Sequence, residues 1–198
     1  MSPKPDVSEQ RRGQILEAAT KVFTRLGFDK ARVDDIVKEA NLSKGAFYWY
    51  FKSKDEIILA LMDRFFDMEF NEAIKCVNPA APAQEQLEQM VNVIVLDLEK
   101  MMPLMALFYD FFALGLRNKD ARKYMGAYLG KFVDLFEPVI RQGVDTGEFR
   151  PVDVRETTLA IGALIEGTIL LWTYDSNALQ VGPQIRVGMK LLMDGLRA

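Results

Sequence analysis

Residues 32–56 read RVDDIVKEANLSKGAFYWYFKSKDE. Val33, Ile36, Val37 and Ala40 fall at i, i+3, i+4 and i+7, which puts one apolar face on a helix from Val33 to about Ala40. Asn41 follows, a residue that tolerates the left-handed conformation ending a helix. Leu42 plugs the turn. The Ser43 hydroxyl is placed to cap the next helix, about Lys44 to Phe51, with Phe47 and Phe51 inward at i, i+4. Ser53 and Glu56 form an S-x-x-E capping box that opens a third helix.

Two helices joined by so short a turn cross steeply, as in a helix-turn-helix. The second helix of that motif enters the DNA major groove, leading with its N-terminal residues. Here these are Ser43, Lys44, Gly45 and Ala46, a cation flanked by small side chains. Tyr48, Trp49 and Tyr50 follow. Three consecutive side chains spread over roughly 200° of a helix, so some of these rings must face outward. Exposed aromatic clusters mark contact surfaces.

The run A-N-L-S-K-G-A-F-Y-W-Y-F-K-S-K-D-E at 40–56 resembles the DNA-binding signature of the TetR family of transcriptional regulators, over about residues 8–56. One position departs: the residue opening the first motif helix is usually Ser or Thr in the family and is Arg32 here. A cation there opposes the helix dipole, which a DNA phosphate would offset, whereas Asp34 and Asp35 suit the helix start. Asp34 near DNA would repel phosphate or accept from a cytosine amine. The resemblance implies DNA contact by Arg32, Ser43, Lys44, Gly45, Ala46, Tyr48, Trp49, Tyr50 and Lys54. A weaker likeness lies in G-x-F-R-P-x-D at 147–153.

The chain has 198 residues, 49% of them hydrophobic and 27% charged, enough for a small domain and a larger one. No uncharged apolar run reaches about 18 residues, so no membrane partner is expected. The N-terminus lacks a secretory apolar region. Single Cys76 suits a reducing cytoplasm and excludes zinc fingers. Histidine is absent, which removes the commonest general base and metal ligand and lowers the case for an enzyme. No cofactor is expected. Residues 1–55 carry 11 Lys and Arg against 8 Asp and Glu, and the remainder 14 against 20. The basic excess coincides with the motif, although three charges in 55 residues is within ordinary scatter.

Outward from the motif the reading is all-α. Residues 1–7 read as a loose tail, and Ser8 is a candidate cap for a helix reaching Leu26. Its stripe is Ile15, Ala19, Val22, Phe23 and Leu26, and Gly27 ends it. Arg11 and Arg12 are phosphate contacts or solvated charges, with equal weight. The helix from Lys54 to about Lys75, with Ile57, Ile58, Leu61, Met62, Phe65, Phe66 and Phe70, is too apolar for an exposed arm and reads as the link between domains. Helices follow at about 84–102, from Pro103 onward, at 120–143 with Pro138 bending it, at 153–174 and at 183–197. Domains are expected at 1–53, a three-helix helix-turn-helix unit, and 54–198, a helical effector-binding and dimerisation unit.

The last two helices are apolar on more than one side. Gly162, Ala163 and Gly167 would admit a close helix, and the resemblance implies a homodimer through these helices. It also implies a small-molecule effector pocket. Candidate lining residues are Met105, Phe108, Tyr109, Phe112, Tyr128, Glu166 and Trp172, against the plainer reading of ordinary core. Asp110 and Glu166 are carboxylates in apolar helices, where a lone charge is costly. The expected protein is a cytoplasmic, dimeric repressor on a palindromic double-stranded operator, released by a largely apolar ligand. Two alternatives remain: a helical carrier or enzyme for an apolar molecule, resting on Asp110 or Glu166, and a DNA-binding regulator controlled by a protein partner.

Overall fold

The computed structural model describes residues 7–197; at 7, 65–74, 76, 103 and 106 it describes the backbone alone. Residues 1–6 of the expected tail at 1–7, and the side chains of Phe65, Phe66, Phe70, Cys76 and Pro103, lie outside the described set, and Val7 is already helical. Among the described residues the chain forms nine α-helices: α1 Val7–Leu26, α2 Val33–Glu39, α3 Lys44–Tyr50, α4 Lys54–Cys76, α5 Ala83–Met101, α6 Met105–Arg117, α7 Lys119–Asp145, α8 Val154–Tyr174 and α9 Val181–Leu196. A 3-10 turn at Met102–Leu104 leads into α6. The all-α expectation holds. Ser8 lies within α1 rather than capping it, since the backbone is already helical at Val7.

The residues group into two compact units that interleave along the sequence. The first holds residues 1–66 and 103–125, the second 67–102 and 126–198. The expected division at 53/54 follows the sequence, whereas these units place the first part of α4, α6 and the start of α7 with the motif.

In the first unit, Ile15, Ala19, Val22 and Phe23 of α1 are buried with Ile36, Phe47, Phe51, Ile57, Ile58 and Met62. Burial of each large apolar side chain contributes roughly 1.5–3 kcal/mol. Leu26 departs from the expected stripe and stays 37% exposed, because α1 ends there. Gly27 takes φ +77°, which costs a glycine little. Phe108, Phe111 and Leu114 of α6 are buried too.

In the second unit, every expected inward position of α5 (Leu87, Met90, Val91, Ile94, Val95, Leu98) is buried. On the part of α7 in this unit, Phe132, Val133, Phe136, Val139 and Ile140 are buried, while Tyr128 and Leu135 are half-buried; Tyr124, also half-buried, belongs to the first unit. Pro138 sits inside that helix on its exposed side. The loop to α8 is anchored by Phe149, whose N–H donates to the Gly143 carbonyl at 2.8 Å and whose ring occupies the space a Cβ at Gly143 would need. Arg150 donates to the carbonyls of Leu196 and Gly195, tying the loop to the end of α9.

α8 and α9 pack on each other, with Gly188 admitting the Leu164 side chain. Each buries one side only. Ile161, Ile165 and Ile169, with Ile185, Met189 and Met193, face inward. Leu170, Leu171, Tyr174, Val187 and Leu191 are exposed. Gly162 faces the Phe132 ring of α7, and Gly167 has open space. By length and composition alone α8 is apolar enough to cross a membrane.

Candidate nucleic-acid interface

The turn between α2 and α3 is built from local chemistry. Asn41 adopts φ 51°, the conformation expected of it. The Leu42 N–H donates to the Val37 carbonyl at 3.1 Å, closing the turn. Ser43 Oγ accepts from the Ala46 N–H at 3.1 Å, so one of the free donors at the start of α3 is satisfied. Asp35 accepts from the Arg32 N–H at 2.9 Å and caps α2. The capping box at α4 is half as expected: the Glu56 N–H donates to Ser53 Oγ at 3.2 Å, but the Glu56 carboxylate accepts from the backbone N–H of Lys52 rather than that of Ser53, at 2.7 Å.

This frame sorts the rings of α3. Phe47 and the helix-ending Phe51 are 1% exposed. Tyr48 is 52% and Trp49 82% exposed, while Tyr50 is half-buried. Tyr48 meets Phe47 edge to face, with centroids 5.3 Å apart. A mostly exposed indole gains little for the monomer, and its place on α3 suits contact with another molecule. Arg32, Ser43, Lys44 and Gly45 are exposed too, and Ala46 is half-buried.

Three features were not legible in the local pattern. Lys44 Nζ lies 2.6 Å from Asp34 Oδ1, and that hydrogen bond, with the carboxylate's charge, raises the ammonium pKa. Gln14 of α1 donates to the Ala40 carbonyl at 2.7 Å, fixing the end of α2. Lys54 donates to the carbonyls of Phe28 and Asp29, at 2.6 and 3.2 Å, and lies 4.6 Å from the Phe28 ring centroid. Its ammonium therefore serves the α1–α2 loop in this state. Arg12 stands 4.6 Å over the Phe51 ring, and Arg11 donates to Gln14.

The seven candidate effector residues divide between the units. Met105 and Phe108 are buried, and Tyr109 and Phe112 half-buried, in the first; Tyr128, Glu166 and Trp172 belong to the second. Two described clefts are lined by other residues. One of about 820 Å³ runs along α1 and α4, past Arg11, Arg12 and Arg64. One of about 270 Å³ lies between α5 and α9 over Val91, Met189 and Met193. Asp110 is half-buried, and its carboxylate accepts from the Phe28 N–H. Burial raises its pKa, with Asp29 adding to the rise; the Phe28 bond, Lys54 and Arg117 oppose it. Glu166 lies on the exposed side of α8, yet surrounding side chains strip enough water to raise its pKa as well. Among the described residues no group of three or more acidic, Cys or His side chains is arranged for a metal ion.

Two family models match. Residues 15–61 match bacterial regulatory proteins of the tetR family, and residues 83–197 match the C-terminal domain of BetI-type transcriptional repressors. The fatty acid metabolism regulator protein of Bacillus subtilis is 23% identical over 189 residues, covering 92% of this chain and 94% of its own length. The uncharacterized HTH-type transcriptional regulator YfiR of the same organism is 28% identical over 158 residues, covering 77% of this chain and 75% of its own. Among solved structures, a TetR transcription regulator from Haloarcula marismortui superposes with a TM-score of 0.86 at 14% identity, covering 96% of this chain and 100% of the other. The regulator FadR from Bacillus subtilis, in complex with stearoyl-CoA, superposes with a TM-score of 0.77 at 22% identity, covering 93% and 99%.

Proposed function

The chain belongs to the TetR family of bacterial transcriptional regulators, and from that premise we propose that it is a dimeric repressor released from a palindromic operator by a small ligand. DNA binding through the helix-turn-helix is the family's activity. The observation that carries the reading is the exposure of Tyr48 and Trp49 on α3, next to Lys44, over a core closed by Phe47 and Phe51. Such a helix end presents a cation and two ring edges to a groove, where phosphate contacts position the protein and base contacts specify the site. The contact set is Arg32, Ser43, Lys44, Gly45, Ala46, Tyr48, Trp49 and Tyr50. Lys54 joins it by steadying the α1–α2 loop.

A second copy is proposed to cover the exposed faces of α8 and α9. Leu170, Leu171, Val187 and Leu191 support this, because a monomer gains nothing by exposing them together. Paired motifs then read two half-sites about one helical turn apart. Glu166 interrupts the apolar face of α8 and favours this cover over a lipid one.

The larger domain is proposed to take a small effector, and the stearoyl-CoA held by the Bacillus subtilis regulator supports an apolar one. The ligand acts by binding one of two conformations more tightly, shifting the population that fits DNA. A carrier or enzyme resting on Asp110 is less well supported, since that carboxylate is engaged with backbone. The test is selection of bound duplexes from a random pool with the full chain. A palindromic consensus, lost with Trp49→Ala, is expected; selection of no consensus overturns the reading.

A further inference from the structure

Asp34 and Lys44 open the two motif helices, α2 and α3, and their side chains are 63% and 61% exposed with charged atoms 2.6 Å apart. An exposed pair of this kind adds little to stability. Its position gives it another consequence. Lys44 begins the helix that carries Tyr48 and Trp49 outward, so a cation of the proposed groove contact is already engaged with an anion.

When Lys44 turns to a phosphate, the pair opens and leaves a carboxylate beside a polyanion. When the pair stays closed, the phosphate meets a neutralised cation. Either course penalises DNA in general. The penalty lifts only where a base offers Asp34 a hydrogen-bond donor. In the major groove the exocyclic amines of cytosine and adenine are the donors. Adenine sets its amine beside the N7 lone pair, which repels the second carboxylate oxygen. Cytosine has no acceptor there.

We infer that Asp34 is a specificity-determining residue of the DNA contact, withholding Lys44 from phosphates at large and releasing it where a cytosine amine takes its place at the carboxylate. The inference rests on the DNA-binding reading above. Discrimination comes from a penalty on wrong sequences rather than from added attraction to the right one.

The experiment uses the full chain and its Asp34→Asn variant, each taken through duplex selection and then titrated with a random-sequence duplex over a range of salt. Asp34→Asn is expected to bind the random duplex more tightly. Its log–log salt slope should steepen by about 0.9 for each protomer that gains a phosphate contact. Its consensus should lose a cytosine preference at one position of each half-site. Adding Lys44→Gln to Asp34→Asn should abolish the gain, because the freed cation produces it. An Asp34→Asn variant with the wild-type slope and consensus overturns the inference and leaves the DNA-binding reading standing. A gain that survives Lys44→Gln also overturns it. A wild-type chain that selects no consensus overturns both.

Discussion

The Asp110 carboxylate on α6 accepts a hydrogen bond at 3.4 Å from the backbone N–H of Phe28, 82 residues earlier in the chain. The carbonyl of Phe28 accepts from Lys54 at 2.6 Å. One residue of the α1–α2 loop is thus held from α6 on one side and from α4 on the other, all within the unit that carries the motif.

Burial raises the Asp110 pKa above the ordinary 3.8. A folded state that holds its proton more firmly than the unfolded chain loses stability as pH rises between the two pKa values. The Asp110 contribution is therefore most favourable below the ordinary value and is lost as pH climbs through the raised one. Asp110→Asn removes the charge and keeps an acceptor for Phe28. It should flatten this part of the pH–stability curve and be neutral or stabilising at pH 7. Asp110→Ala leaves the Phe28 N–H unpaired and should cost about 1–3 kcal/mol at low pH, and less as pH climbs, because it too removes the ionising group. Urea denaturation between pH 4 and 8 checks both.

Phe47 and Trp49 are two residues apart on α3, one 1% and the other 82% exposed. Phe47→Ala should destabilise the first unit by about 3–5 kcal/mol. Trp49→Ala should leave the melting temperature nearly unchanged and abolish the mobility shift. Equal melting losses in the two variants would refute the sorting of rings described above.

Glu148 accepts from the N–H groups of Ala83 and Gln84 at 2.7 and 2.8 Å, capping α5 with both carboxylate oxygens. Glu148→Ala should cost about 0.5–2 kcal/mol, the usual range for a lost N-cap. Gly143→Ala drives a methyl into the Phe149 ring and should cost about 1–3 kcal/mol. Denaturant midpoints give both values without reference to DNA.

Leu191→Glu places a charge on the exposed side of α9, where the leucine is 68% accessible. Sedimentation should show a monomer, with weakened operator binding. Glu166 on the neighbouring helix has a raised pKa. A partner covering that face would tighten as Glu166 takes up a proton, so the dimer dissociation constant should fall as pH falls. Glu166→Gln should tighten the dimer at pH 7 and remove that dependence. A dissociation constant unchanged by Glu166→Gln would place the carboxylate outside the interface.

The motif was legible because its devices are local. The left-handed Asn41, the Ser43 cap and the inward Phe47 and Phe51 depend on residues at most four apart, where helical geometry fixes who meets whom. The Asp110–Phe28 and Glu148–Ala83 bonds were not legible, since they depend on the paths of helices distant in sequence. The carboxylate in α6 did signal a need for a partner, and the Phe28 backbone N–H supplies one. Leu26 misled for a related reason: periodicity gives the direction of a side chain but not where its cover stops. The candidate effector residues were chosen by composition on single helices, which carries no information about which of them share a compact unit.

Residues 103–125 belong with the motif although more than forty residues separate them from its end. A DNA-reading module cannot therefore be cut from this chain with one pair of scissors. A fragment ending at 53 would discard Ile57, Ile58 and Met62 together with the α6 strip containing Phe108 and Phe111, all of them buried. A chimera joining this reader to a foreign sensor needs three splice points, at 66/67, 102/103 and 125/126, and must transplant α6 along with its Asp110.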